Sequence, residues 1–182
     1  MGYAGGTTQN PTYHNIGDHA ETLQIEFDPD VITYRELLNI YWDSHTPTRK
    51  GWSKQYQAFV FYHTAEQHEI AEESKKQLWD KLGKEIKTEI QSLNQFYIAE
   101  DYHQKYYLQN SNRFMKAFEN IYPDMDSFIN STAAARVNGY LGGYGAHEQF
   151  RREEQALGLP GDLIESLDKR VKRNSPGIQC AS

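Results

Sequence analysis

Two carboxylates in this sequence sit where a general acid could work. Glu21 follows a glycine-containing loop, close to His19, at the mouth of an alternating segment; Asp101 lies about eighty residues further on, in a loop flanked by aromatic residues. If the two meet in a poorly solvated pocket lined by tyrosines, burial disfavours ionisation and lifts a carboxyl pKa toward neutrality, which makes a proton available near pH 7. An acid at the boundary of an element is also, and more commonly, a surface residue or an N-cap. Pattern alone leaves both readings open.

The remaining reactive side chains point elsewhere. Seven histidines, His14, His19, His45, His63, His68, His103 and His147, lack the helical pair or the cysteine-containing spacing of zinc sites, and His63 and His68 are five apart, which splays them on a helix. Packing or surface roles are expected for them, with no metal. Cys180 is the only cysteine and so the only candidate sulfur nucleophile. It stands near the C-terminus without a base beside it, the setting of an inert thiol. One cysteine cannot form an internal disulfide, which suits a reducing compartment such as the cytoplasm.

Composition narrows the partners. The chain has 182 residues, a net charge of −6 and charges mixed along its length, which argues against nucleic acid. No apolar run approaches the roughly 18 residues that span a bilayer, and the first residues carry neither a basic n-region nor an apolar h-region. A soluble chain with no membrane partner is expected. The 13 tyrosines, 8 phenylalanines and 3 tryptophans stand out, because tyrosine lines a pocket that is apolar yet offers hydrogen bonds.

The elements that must position these groups follow from periodicity and punctuation. Residues 2–13 are rich in glycine and turn formers and read as a loop. Leu23, Ile25 and Phe27 alternate with Gln24 and Glu26, the pattern of a half-buried strand over Thr22–Phe27. Thr33 with Glu36 three residues on predicts a capped helix carrying Leu37, Leu38, Tyr41 and Trp42; Thr64 with Gln67 predicts a second, to about Leu82, with Ile70, Ala71, Ser74 and Leu78 on one face. Between them Ala58–Tyr62 reads as a strand. Ile86–Ile90 reads as another, and Phe96–Ala99 as an aromatic loop. Beyond Leu108 come helical segments at 111–122, 131–140, 146–158 and 163–173, and a frayed tail from Asn174 to Ser182. Three strands interspersed with helices, without parallel-sheet apolar runs, favour an α+β sandwich over a doubly wound sheet.

Taken in order, Gly2-Tyr3-Ala4-Gly5-Gly6, Asn10-Pro11-Thr12-Tyr13, Gly17-Asp18-His19-Ala20-Glu21, Phe27-Asp28-Pro29, Gln55-Tyr56, Phe61-Tyr62-His63 and Ala99-Glu100-Asp101-Tyr102-His103-Gln104 resemble the methionine sulfoxide reductase A family over about residues 2–108. Ala133–Tyr140 resembles the C-terminal extension of a subgroup. The resemblance implies a two-layer α+β sandwich with a ferredoxin-like core at 1–108, a helical extension and tail at 109–182, and no cofactor. It implies thiol-dependent reduction of methionine S-sulfoxide, free or in proteins, as a repair reaction under oxidative stress, with thioredoxin or another thiol as reductant. Glu21 corresponds to the acid that protonates the sulfoxide oxygen, Tyr13 and Tyr106 to hydroxyls that bond that oxygen, and Asp101 to a carboxylate that organises the site.

One departure is large. The family carries a Gly-Cys-Phe-Trp motif upstream of the Gly-Tyr-Ala-Gly-Gly segment, on a first strand and the start of a first helix, and this sequence does not contain it. Cys180 does not match that motif. The expectation is a chain that lacks the N-terminal segment and is inactive without its nucleophile; the alternative is a non-catalytic homologue that binds oxidised methionine.

Overall fold

The computed structural model describes residues 1–174, which part into two compact units, Met1–Glu100 and a second that begins at Asp101. The junction lies upstream of the 108/109 boundary drawn from the sequence.

In the first unit, β1 (Gly2–Ala4) is the middle strand of a three-stranded antiparallel sheet, flanked by β2 (Ala20–Thr22) and by β5 (Phe96–Ile98). Residues 2–4 are thus not loop, and neither are the aromatic residues of β5. Gly2 serves close approach, since a Cβ there would lie 2.3 Å from the Tyr97 carbonyl oxygen. The aromatics of β5 follow their preference for a pleated surface. Conversely the alternating Thr22–Phe27 segment leaves the sheet at Thr22, and Leu23 and Ile25 are 66% and 52% exposed. Alternation specifies two faces, but a strand also needs a hydrogen-bonding neighbour, and none of the described residues pairs with 23–27.

The helices form as their caps dictate. The Thr33 hydroxyl accepts the Glu36 N–H while Glu36 reaches back to the Thr33 N–H, opening α1 (Tyr34–Asp43). Thr64 caps α2 (Ala65–Leu82), which ends at Gly83 with φ +61°, a left-handed conformation glycine adopts without Cβ strain. Before and after α2 lie β3 (Phe59–Tyr62) and β4 (Glu89–Ser92), paired in parallel, so β3–α2–β4 is a crossover unit and the expected 86–90 strand is displaced toward Ser92. Leu38, Trp42, Val60, Ala71 and Ile86 form its core. Trp42 Nε1 donates to Ser74 Oγ at 3.1 Å, which satisfies the one polar atom of the indole in that core.

The second unit is helical, as expected: α3 (Tyr106–Gln109), α4 (Asn112–Ile121), α5 (Met125–Ile129), α6 (Thr132–Leu141), α7 (His147–Glu153) and α8 (Gly161–Asn174). Asp124 and Ser131 cap α5 and α6. The five-residue α5 has too few turns for a periodic signal and escaped the sequence reading. Phe114, Phe118, Phe128, Val137, Phe150 and Leu167 belong to one continuous buried cluster. Asn174 closes α8, and the rest of the expected tail, with Cys180, lies outside the described residues. The α+β class with a helical C-terminal region is therefore observed, with five strands among the described residues where three were expected. No described helix is long and apolar enough to cross a membrane.

Candidate active site

The Gly17–Glu21 segment spends its first polar side chains on the neighbouring loop. The Asp18 carboxylate accepts the Thr7 N–H (2.8 and 2.9 Å), the Thr8 N–H (3.0 Å) and both threonine hydroxyls (2.9 Å each). These bonds, the backbone N–H groups foremost, hold its pKa well below the usual carboxylate range. His19 is buried; Gly6 N–H donates to its Nδ1 at 3.2 Å, so the ring proton sits on Nε2 and donates to the Thr8 carbonyl at 2.8 Å. Asp18 and His19 stitch residues 6–8 to the start of β2. Glu21 is the acid left over.

Glu21 stands on β2 opposite Tyr3, half-buried, and its Oε1 accepts Gln55 Nε2 at 2.7 Å. Gln55 belongs to a short 3-10 turn, Lys54–Tyr56. Buried Gln57 pins that turn by accepting the Gly51 N–H (3.0 Å) and donating to the Lys87 carbonyl (2.9 Å). The next residue, Tyr56, has its phenol pKa raised, first by desolvation, then by the nearby Tyr13 and Glu21 and a hydrogen bond with Tyr13. Tyr13 is positioned by its backbone, whose N–H donates to Glu100 Oε1 at 2.9 Å, while Glu100 Oε2 accepts the buried Tyr3 hydroxyl at 2.7 Å. Glu21, Tyr13 and Tyr56 thus share one neighbourhood.

A cleft of about 630 Å³ opens beside it. Glu21, Gln55 and Tyr56 supply polar groups to its wall, and Leu23, Ile25, Leu37, Val60 and Phe61 much of the rest. Burial raises the phenol pKa of Tyr34 and pushes that of Tyr41 to about 12, so two wall tyrosines stay neutral throughout the physiological range. The combination of a carboxyl group, phenols and an apolar wall can protonate or bond an oxygen attached to an apolar side chain.

The other two expected site residues belong to the second unit. Asp101 opens a 3-10 turn, Asp101–His103; its side chain is exposed and its carbonyl accepts the Gln104 N–H at 3.0 Å. Tyr106 begins α3, 58% exposed, edge-on to Tyr107. Tyr13 and Glu21 are brought together within the first unit, and Asp101 and Tyr106 lie five residues apart in the second. Gln55, Tyr56 and Glu100 acquire partners that no spacing rule foretells, since the Gln55–Glu21 and Glu100–Tyr13 bonds span 34 and 87 residues. Of the histidines, His45 bonds the Tyr41 carbonyl and the Thr88 hydroxyl, and His147 pairs with Asp168 at 2.7 Å. Among the described residues no group of three or more His, Cys, Asp or Glu is placed to hold a metal.

The sequence model of the family described as Peptide methionine sulfoxide reductase matches residues 1–137. The chain belongs to the peptide methionine sulfoxide reductase family. A peptide methionine sulfoxide reductase of Drosophila melanogaster is 41% identical over 187 residues, covering 99% of this chain and 73% of that protein. Peptide methionine sulfoxide reductase MsrA of Sulfolobus acidocaldarius is 47% identical over 120 residues, 61% of this chain and 68% of the relative. The crystal structure of Mxr1 from Saccharomyces cerevisiae in reduced form is similar with a TM-score of 0.56 and 31% identity, over 60% of this chain and 68% of that one. The peptide methionine sulfoxide reductase match runs past Glu100, so it takes in Asp101 and Tyr106 as well as Tyr13 and Glu21. The alignment with the fruit-fly relative extends over the sequence of the second unit as well as the first. Membership places the chain among oxidoreductases that act on sulfur.

Proposed function

We propose that the chain serves the reduction of methionine S-sulfoxide, free or in proteins, with Glu21 as general acid and Tyr13, Asp101 and Tyr106 as its partners in binding or organising the sulfoxide. The observation that carries this reading is the Glu21 carboxyl, clamped by Gln55 beside Tyr13 and Tyr56 at the mouth of an apolar cleft, in a member of this family. In the reaction a thiolate attacks the sulfoxide sulfur while Glu21 gives its proton to the departing oxygen. That oxygen leaves on the thiol sulfur as a sulfenic acid, and methionine is released. A second thiol condenses with the sulfenic acid to a disulfide with loss of water, and a further thiol, or the second thiol of thioredoxin, reduces that disulfide back to the thiol. The oxygen gains negative charge as its bond to the substrate sulfur weakens, and a proton donor with phenols beside it stabilises that charge. No metal or organic cofactor takes part, and a reducing compartment such as the cytoplasm suits the thiol cycle.

The thiol itself is the open position. The 182 residues hold Cys180 alone. We propose that the nucleophile is carried on a Gly-Cys-Phe-Trp strand-and-helix segment that these residues do not include, and that the 182-residue chain by itself is inactive. The apolar wall of the cleft and the unpaired 23–27 segment beside β2 support that reading. Turnover of N-acetylmethionine S-sulfoxide with dithiothreitol tests it: none is expected from the 182-residue chain, and turnover is expected once such a segment precedes it. Robust turnover by the 182-residue chain that vanishes in Cys180→Ser would move the nucleophile to the C-terminus. A completed chain that still does not turn over, yet binds the sulfoxide, would favour a non-catalytic reader of oxidised methionine.

A further inference from the structure

We propose that Gln55 is a positioning residue that decides which oxygen of Glu21 carries the transferable proton, a role that rests on the sulfoxide reading above. A neutral carboxyl group has one O–H and one carbonyl oxygen, and the carbonyl oxygen is the better acceptor. Gln55 Nε2 donates to Glu21 Oε1 at 2.7 Å. That bond favours the arrangement with the carbonyl at Oε1 and the proton at Oε2. Delivery of the proton then has one geometry instead of two, and the carboxyl cannot turn without losing the amide bond.

The amide is held in place by the scaffold. Gln55 sits in the Lys54–Tyr56 turn, which the buried Gln57 side chain ties to Gly51 at one end and to Lys87 at the other. The turn closes so tightly that a Cβ at Gly51 would lie 2.6 Å from the Tyr56 carbonyl oxygen. One residue beyond Gln55, the same turn brings the Tyr56 phenol to Tyr13. A single rigid turn therefore occupies one oxygen of the acid and sets a phenol beside it, which leaves Oε2 for the sulfoxide oxygen. Among the charged and titratable groups nearby, Tyr56 lies close to Glu21 and bonds Tyr13; Tyr34, Tyr41, His45 and His63 line the same cleft; and Lys54 turns its Nζ to the Gly5 carbonyl at 3.4 Å.

The experiment titrates the full chain with three probes, the S- and R-sulfoxides of N-acetylmethionine methylamide and the parent thioether, followed by NMR. In Gln55→Ala, binding of the S-sulfoxide is expected to weaken about tenfold, the effect of one well-placed hydrogen bond, while the thioether, which has no oxygen to protonate, stays within about twofold. Gln55→Glu sets a second carboxyl against Glu21. Its S-sulfoxide binding is expected to be poor at pH 8 and to recover on acidification, when one proton restores a donor to Oε1 and a second protonates Oε2. A merely structural role would weaken all three probes alike and show no such recovery. Undiminished S-sulfoxide binding in Gln55→Ala, or equal losses for sulfoxide and thioether, overturns the role of Gln55 alone. Failure of the unmutated chain to bind either sulfoxide overturns the sulfoxide reading and the Gln55 role with it.

Discussion

The two units solve the problem of stability in different ways. The second gathers apolar side chains from six helices around Phe118, Val137, Phe150 and Leu167, all fully buried, and hydrophobic burial at about 25 cal/mol per Å² carries it. The first has a cluster of only five buried residues and keeps a cleft beside it, with Leu23 and Ile25 in water. It holds its loops by polar anchors instead: Asp18 on Thr7 and Thr8, His19 on Gly6 and Thr8, Glu100 on Tyr3 and Tyr13, Gln57 on Gly51 and Lys87. The contrast teaches that in the unit bearing the acid directional bonds fix the side chains where packing is sparse.

The largest effect is expected from the second unit's core. Phe118→Ala should cost about 3–5 kcal/mol of stability, the range for a deleted buried aromatic, read by denaturant unfolding. Amide exchange should show the loss across the helices after Asp101, with less change before Glu100. Uniform loss throughout would break the contrast between the units.

The next effect concerns chemistry. In a chain completed by a thiol-bearing segment, Glu21→Gln should slow single-turnover methionine formation by roughly 10²-fold, because the amide keeps the shape but has no proton to give. Tyr13→Phe and Tyr106→Phe should each do less, as each removes one hydroxyl. Unchanged rates in Tyr106→Phe and Asp101→Ala would confine the chemistry to the first unit.

A third prediction uses acid. The Asp18 pKa is depressed in the folded chain, so its stabilisation is fully present above the unfolded value near 4 and is lost as the pH falls toward the lower folded value. Asp18→Asn should therefore reduce stability at pH 7 and flatten its decline below about pH 4, measured by unfolding at a series of pH values. An unaltered acid profile would mean that the first unit does not depend on this anchor. The smallest effect belongs to Leu23→Ser, which should change stability by no more than about 0.5 kcal/mol, as for other exposed positions. A much larger loss would show that Leu23 is covered in solution.

Local signals were read correctly where they act over a few residues. Thr33 with Glu36, Thr64 with Gln67, and Ser131 each open the helix expected of them, and the second helix ends at Leu82 as its pattern does. The alternation of 22–27 misled for the opposite reason, because it reports side-chain faces and says nothing of whether a neighbouring strand exists. Residues 2–4 misled in the other direction, a strand expected as loop: their glycine is there for a close approach to β5, and composition cannot tell that from a loop.

By itself, then, the sequence determined the starts of the capped helices, the α+β class and, through the ordered motifs from Gly2 to Gln104, the family. It also singled out Glu21 and Asp101 and, through the resemblance, Tyr13 and Tyr106. Tertiary structure alone decided that Asp18 and His19 are consumed as anchors, that Gln55 meets one oxygen of Glu21, and that Glu100 holds the backbone of Tyr13. The physical reason is range. A cap or a left-handed glycine is settled within one helical turn, by bonds its own backbone must make, whereas a side-chain bond across 34 or 87 residues exists only after sheets, turns and helices have brought its two ends together.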